Sequence, residues 1–182
     1  DVVGLEELLR LSRLAVGIDP TYAYAWALMA LAQTTLHFRH GARDDGLAAA
    51  ERALSLDPNL AEPHAVKARH LDIHLRADEA DAEIELALRL DPESYDVHFS
   101  AAFIRFRQQR LADAIRHFEA AAKLSDTSFG APGMLVTCYA ALGDSEGVAR
   151  SARMALERSE RAIEDDQSNG QAMGMGASAL AA

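Results

Sequence analysis

The stretches ALSLDPNLAEPHA (residues 53–65) and ALRLDPESYDVHF (residues 87–99) write Ala-Leu-x-Leu-Asp-Pro twice, 34 residues apart. Proline lacks an amide hydrogen and forces the residue before it out of the α region, so a helix ends at or before the aspartate. Asp and Asn close by can accept backbone N–H groups at the start of the next helix. Each copy therefore reads as a corner, the end of one helix and the turn into another. The Asp-Pro pair also stands at Asp19-Pro20, and degraded forms follow at Ser125-Asp126 and Asp166-Gln167. The steps from corner to corner are 38, 34, 34 and 41 residues. A period of this size marks stacked units, none of which can bury its apolar face alone.

Between corners, each unit carries two amphipathic stretches. The second is the clearer: Ala80, Ile84 and Ala87, then Ala114, Phe118 and Ala121, then Val148, Ala152 and Ala155. Steps of four and three put these side chains on one helical face, and their small size lets neighbouring helices approach closely. Composition agrees with an all-α chain, since Ala and Leu dominate the 49% hydrophobic fraction and aromatics make up only 6%. Strand-forming residues are sparse and scattered. The net charge of −10 would be repelled by a phosphate backbone, so the expectation is no nucleic-acid partner. The lone Cys138 excludes an internal disulfide and a Cys-rich metal site, and fits a reduced, cytoplasmic setting. No apolar run reaches the roughly 20 residues that span a bilayer, so no membrane partner is expected.

The first stretch shows Trp26-x-x-Met29-Ala30 in one unit, Leu135-Val136-x-x-Tyr139 in another, and Met173-x-x-Gly176-Ala177-x-x-Leu180 near the end. With LADAIRHFEAAAKL (residues 111–124) and YAALGD (residues 139–144), this resembles the tetratricopeptide (TPR) repeat family over nearly the whole chain. The resemblance implies a right-handed α-solenoid, a single array over residues 1–182. Four repeats (19–56, 57–90, 91–124 and 125–166) follow a lone second helix within 1–18 and precede a lone first helix within 167–182. The four extra residues of the first unit are expected in the loop 37–46, and the seven of the fourth in a long second helix over 144–166. A start at Asp1 and mid-repeat ends point to a piece of a longer chain, or to homo-oligomers formed through uncapped terminal helices.

His70-x3-His74 places two imidazoles on one face, a spacing that can hold a metal, although no third ligand is specified. His64 and His98 stand where the family often has tryptophan, and read as packing residues at a helix contact. Cys138 lies in the apolar stretch MLVTCYAAL, where it reads as a small buried hydrophobe. GMGAS (residues 174–178) follows no strand and lacks a P-loop lysine, so it reads as small residues on a packed helix. In YDVHFSAAFIRFRQQ (residues 95–109) two registers compete. Phe99, Ala102, Phe103 and Phe106 have the family's core spacing, whereas strict counting from the neighbouring unit gives His98, Ala101, Ala102 and Arg105. Burying a phenylalanine gains roughly 1.5–3 kcal/mol and burying an unpaired arginine costs several, which favours the phenylalanines as core.

The resemblance further implies a concave groove lined by first helices. Its positions here are Tyr24, Leu31, Thr35, Glu62, Arg69, Asp72, Asp96, Phe103, Arg107 and Thr137. The carboxylate clamp of some members is absent, because Ala27 and Leu31 occupy its early positions. The expected function is a non-catalytic scaffold that holds a peptide or protein segment and needs no cofactor. A regulatory segment of a larger bacterial signalling protein is the alternative, and a metal-binding or enzymatic role for His70 and His74 a remote one.

Overall fold

Each Leu-x-Leu-Asp-Pro corner ends a helix because the backbone at its acidic residue is extended. In the computed structural model, which describes residues 2–167 and 169–181, the described residues form ten helices and no strand. They are α1 (Val2–Ile18), α2 (Ala23–His40), α3 (Leu47–Leu56), α4 (Ala61–Ile73), α5 (Ala77–Leu90), α6 (Tyr95–Arg107), α7 (Leu111–Leu124), α8 (Gly130–Leu142), α9 (Ser145–Asp165) and α10 (Gly170–Leu180). The architecture is all-α, built of helix-turn-helix units. The chain divides into two compact units, one up to Pro92 and one from Glu93 onward. The first holds α1 to α5 and the second α6 to α10.

The residues that cap α3, α5, α7 and α9 share one conformation. Asp57, Asp91, Ser125 and Asp166 have φ of −143°, −139°, −135° and −144°. Each still donates its N–H to a carbonyl four residues back. Proline enforces this geometry only at Asp57 and Asp91; the other two corners reach it by other means. At Ser125, the Arg158 guanidinium of α9 donates to the carbonyls of Ala122, Ser125 and Ser128 at 2.9, 2.7 and 2.9 Å. Burial lowers the arginine's pKa, yet the three acceptors hold it in place. Past the fourth corner, the Asn169 side chain accepts the Ala172 N–H at 3.0 Å and starts α10.

Inside the hairpins α4/α5, α6/α7 and α8/α9 the turn repeats as faithfully as the corner. Leu75, Gln109 and Gly143 stand 34 residues apart and all adopt the left-handed region, with φ of 60°, 62° and 72°. Only Gly143 takes that conformation without a Cβ penalty.

The helix faces pack through small side chains. Ala80, Ile84 and Ala87 in α5 and Ala114, Phe118 and Ala121 in α7 are all fully buried. Ala152 and Ala155 of α9 are buried as well, while Val148 is half-buried against the same core as Phe118. The seven extra residues of the fourth interval lie in α9, which has 21 residues where α5 and α7 have 14. The first interval differs from the expectation. Its α2 has 18 residues and runs to His40, leaving a connection over 41–46 and a short α3 of 10. Gly46 permits this arrangement, because a Cβ there would sit 2.3 Å from Thr34 Oγ1 and 2.4 Å from the Ala30 carbonyl.

Replacing Leu75 or Gln109 by glycine should each raise stability by about 0.5–1 kcal/mol. The relieved left-handed penalty of ~1–2 kcal/mol outweighs the added freedom of glycine in the unfolded chain. Gly143→Ala should lower stability by a similar amount. Urea unfolding of the three variants against the parent protein checks the signs.

Candidate functional site

In the unit up to Pro92, α2 and α4 are the first helices of consecutive hairpins and lie against each other. Tyr24 is half-exposed at 48%, whereas Leu31 and Thr35 are partly buried. The Thr35 hydroxyl donates to the Leu31 carbonyl at 2.8 Å, so it bonds back to its own helix. On α4, Arg69 places its guanidinium 4.0 Å from the centroid of the Phe38 ring. A cation over an aromatic face at this distance is attracted by about 0.5–1 kcal/mol where solvent reaches it. Glu62 is partly buried. Asp72 is 7% exposed and so belongs to the interior, where the turn after α4 folds back with Leu75 N–H on the Asp72 carbonyl. Phe38 was missed in the sequence because residues 37–46 read as loop; the extension of α2 to His40 puts it three residues beyond Thr35 on the same helix.

In the unit from Glu93, the competing registers of α6 resolve in an unexpected way. Ala101, Ala102 and Arg105 are buried, Arg105 to 4% exposure, as strict counting requires. The burial argument against arginine fails because its guanidinium is not bare: Nη1 donates to Gln108 Oε1 at 3.1 Å. Phe99, Phe103 and Phe106 lie partly buried against the core rather than in it. Tyr95, Phe99 and Phe103 form a ladder along α6 with centroid spacings of 5.6 and 5.8 Å. Phe99 and Phe103 both meet buried Phe118 edge-on, at 5.5 and 6.3 Å. One rim of each ring is therefore in the core and the other is solvated. Asp96 is partly buried, and Arg107 and Thr137 are exposed.

His64, at the tryptophan position, does what the tryptophan does. Trp26 Nε1–H donates to the Pro20 carbonyl at 3.0 Å, and His64 Nε2 lies 3.0 Å from the Pro58 carbonyl. Each pair is six residues apart, so the ring closes the corner onto the helix it precedes. The other nitrogen of His64 meets Glu83 Oε2 at 2.6 Å, and Glu83 also takes a short bond from Lys67. Burial alone would raise the Glu83 carboxyl, but the bonds from Lys67 and His64 hold it below the usual carboxylate range. One repeat later the same two positions are His98 and His117, with Nδ1 to Nδ1 at 3.1 Å, one ring donating and the other accepting. Burial first, and then the charges of His98, Arg116 and Arg105, push the pKa of His117 down to about 4, with Asp113 opposing.

Cys138 is fully buried, and burial pushes its thiol up to about 11, so it stays protonated and inert as a nucleophile. His70 and His74 stack with ring centroids 4.2 Å apart. Among the described residues no helix is long and apolar enough to cross a membrane.

No family model and no curated protein matches the chain. Solved structures do. A thermophilic TPR protein from Thermus thermophilus, TTC0263, matches with a TM-score of 0.66 at 18% identity, over 96% of this chain and 89% of that one. MamA matches with a TM-score of 0.60 at 15% identity, over 86% of this chain and 89% of its own. The human IFIT1 dimer with PPP-AAAA gives a TM-score of 0.69 at 20% identity, over 94% of this chain and 40% of IFIT1. At these identities the likeness establishes the fold, which is that of the tetratricopeptide repeat.

The lowered pKa of His117 has a defined consequence for stability. The unfolded chain takes up a proton near the ordinary value of 6.5, and the folded chain only near 4. Stability therefore falls as pH drops from about 6.5 to 4, and the contribution of His117 is constant outside that window. His117→Gln should shrink the fall in melting temperature between pH 7 and pH 4.5 relative to the parent protein, which thermal denaturation followed by circular dichroism checks.

Proposed function

We propose that the chain is a non-catalytic scaffold that binds a peptide or protein segment along the faces of its first helices. In this reading the repeats 19–56, 57–90, 91–124 and 125–166 act as one binding array over residues 1–182, in a reducing compartment such as the bacterial cytoplasm. The observation that carries the reading is the pairing of arginine with half-exposed aromatic rings on first helices. Arg69 lies over Phe38, Tyr24 is 48% exposed, and the ladder Tyr95, Phe99 and Phe103 keeps one rim in solvent. Aromatic and arginine side chains present large area with little rotamer loss, and they dominate protein recognition surfaces. Glu62 on the helix of Arg69 and Asp96 on the helix of Arg107 favour a partner of mixed charge.

Panning a random peptide library on the whole chain tests this. Arg69→Glu combined with Arg107→Glu should weaken selected peptides at least tenfold while the helical circular dichroism spectrum is unchanged. Equal affinity of the double variant would remove the first-helix faces from the site. A 5′-triphosphorylated single-stranded RNA serves as the competing probe, as IFIT1 was solved with PPP-AAAA. Tight RNA binding with no peptide selected would replace the protein partner by a nucleic acid.

A further inference from the structure

We infer that His70 and His74 form a solvent-open chelating site for a late first-row divalent metal ion, with Asp45 as the residue that orients it. The argument begins with the tautomers. His70 Nδ1 lies 2.9 Å from Asp45 Oδ2 and His74 Nδ1 lies 2.8 Å from the His70 carbonyl. Both partners are acceptors, so in each neutral ring Nδ1 carries the proton and Nε2 is left with its lone pair. Two neighbouring imidazoles are thus set in the form that binds metal, each by a bond from its other nitrogen. A carboxylate or carbonyl behind the distal ring nitrogen is the usual support of a metal-binding histidine, because it fixes the ring and raises its basicity.

The spacing and the field agree. The two residues are four apart at the end of α4, with ring planes 30° apart and centroids 4.2 Å apart. Metal–nitrogen bonds of about 2.0–2.1 Å require the two Nε2 atoms to lie roughly 3 Å from each other. The stacked rings hold their in-plane lone pairs nearly side by side, so the exposed His74 ring must swing off the stack, giving up its bond to the His70 carbonyl, for both Nε2 atoms to face one ion. The site lies at the C-terminus of a helix, where the macrodipole favours a cation. Asp45 adds a carboxylate directly behind the His70 ring. Its position is fixed, since the Asp45 carbonyl accepts the Thr34 hydroxyl at 2.6 Å and Oδ1 accepts the Leu47 N–H at 3.0 Å. The nearby Arg76 guanidinium is engaged by Glu79 at 2.7 and 2.6 Å. Solvent reaches the pair, because His74 is exposed and the His70 side chain is 21% exposed.

Among the described residues no group of three or more His, Cys, Asp or Glu side chains converges on an ion. The protein thus supplies two nitrogens and water completes the coordination. A two-imidazole site of this kind selects by intrinsic affinity, with Cu(II) above Ni(II) and Zn(II).

The test is calorimetric titration of the whole, tag-free chain with Cu(II), Ni(II) and Zn(II) in a non-chelating buffer near pH 7.5. One equivalent of Cu(II) should bind, with a two-nitrogen pattern in its paramagnetic resonance spectrum. His74→Ala alters an exposed ring and leaves the fold intact by circular dichroism; it should weaken that equivalent at least tenfold. Asp45→Asn should weaken it roughly 10- to 100-fold, as loss of an orienting carboxylate does. His40→Ala, at another exposed histidine, should leave it unchanged. No saturable equivalent, or an affinity unmoved by His74→Ala, would overturn the site.

Discussion

Everything in this chain depends on ending a helix at a fixed interval with an extended residue. At Asp57, Asp91, Ser125 and Asp166 the backbone leaves the helix at nearly the same φ, and the next first helix begins a few residues later. Proline makes the conformation obligatory at two of these corners by removing the α alternative. At Ser125 that local compulsion is absent, and a long-range substitute has taken its place. Arg158 reaches back from α9 and gathers three carbonyls at the end of α7. Arg158 stands 34 residues after Leu124, at the position that closes α7 in the preceding repeat, so the register of the repeat itself carries the arginine to that corner. A weakened local signal and an added tertiary bond occur at the same place.

With the corners set, the rest is packing between paired helices. Alanines at the contact faces allow close approach, and larger residues such as Ile84 and Phe118 fill the space between them. The second helices commit their apolar faces to this core. First helices are left with side chains that face both ways: a ring whose inner edge packs on Phe118 still shows its outer edge to water. Under the proposed binding role, such half-buried aromatics would meet a partner already ordered, so it would not have to pay for fixing them. The proposed binding role follows from this division of labour between the two helices of each repeat.

The corner rings show how one job can be done by different chemistry. Trp26 and His64 each place a ring nitrogen on the carbonyl of the corner proline six residues before. Histidine brings a second nitrogen, and that nitrogen needs a partner on the second helix. Glu83 meets it in one repeat and His117 in the next, so the same position makes a histidine–carboxylate bond in one unit and a histidine–histidine bond in the other. Exchanging tryptophan for histidine thus adds a bond to the second helix without losing the bond to the corner.

The period, the all-helical class, the extended corners and the small-residue faces were legible in the sequence, because each follows from local chemistry: proline geometry, helical spacing and side-chain size. The packing role of His64 was legible too, from its place in the repeat. Tertiary structure alone decided the rest. Whether Arg105 could be buried turned on the acceptor offered by Gln108, and whether Phe38 belonged to a helix turned on how far α2 extends past the usual length. The tie between His70 and Asp45 spans 25 residues and exists only because the 41–46 connection is pinned against α2. Periodicity names the face on which a residue sits, but a hydrogen-bond partner from another helix determines what that residue can do there.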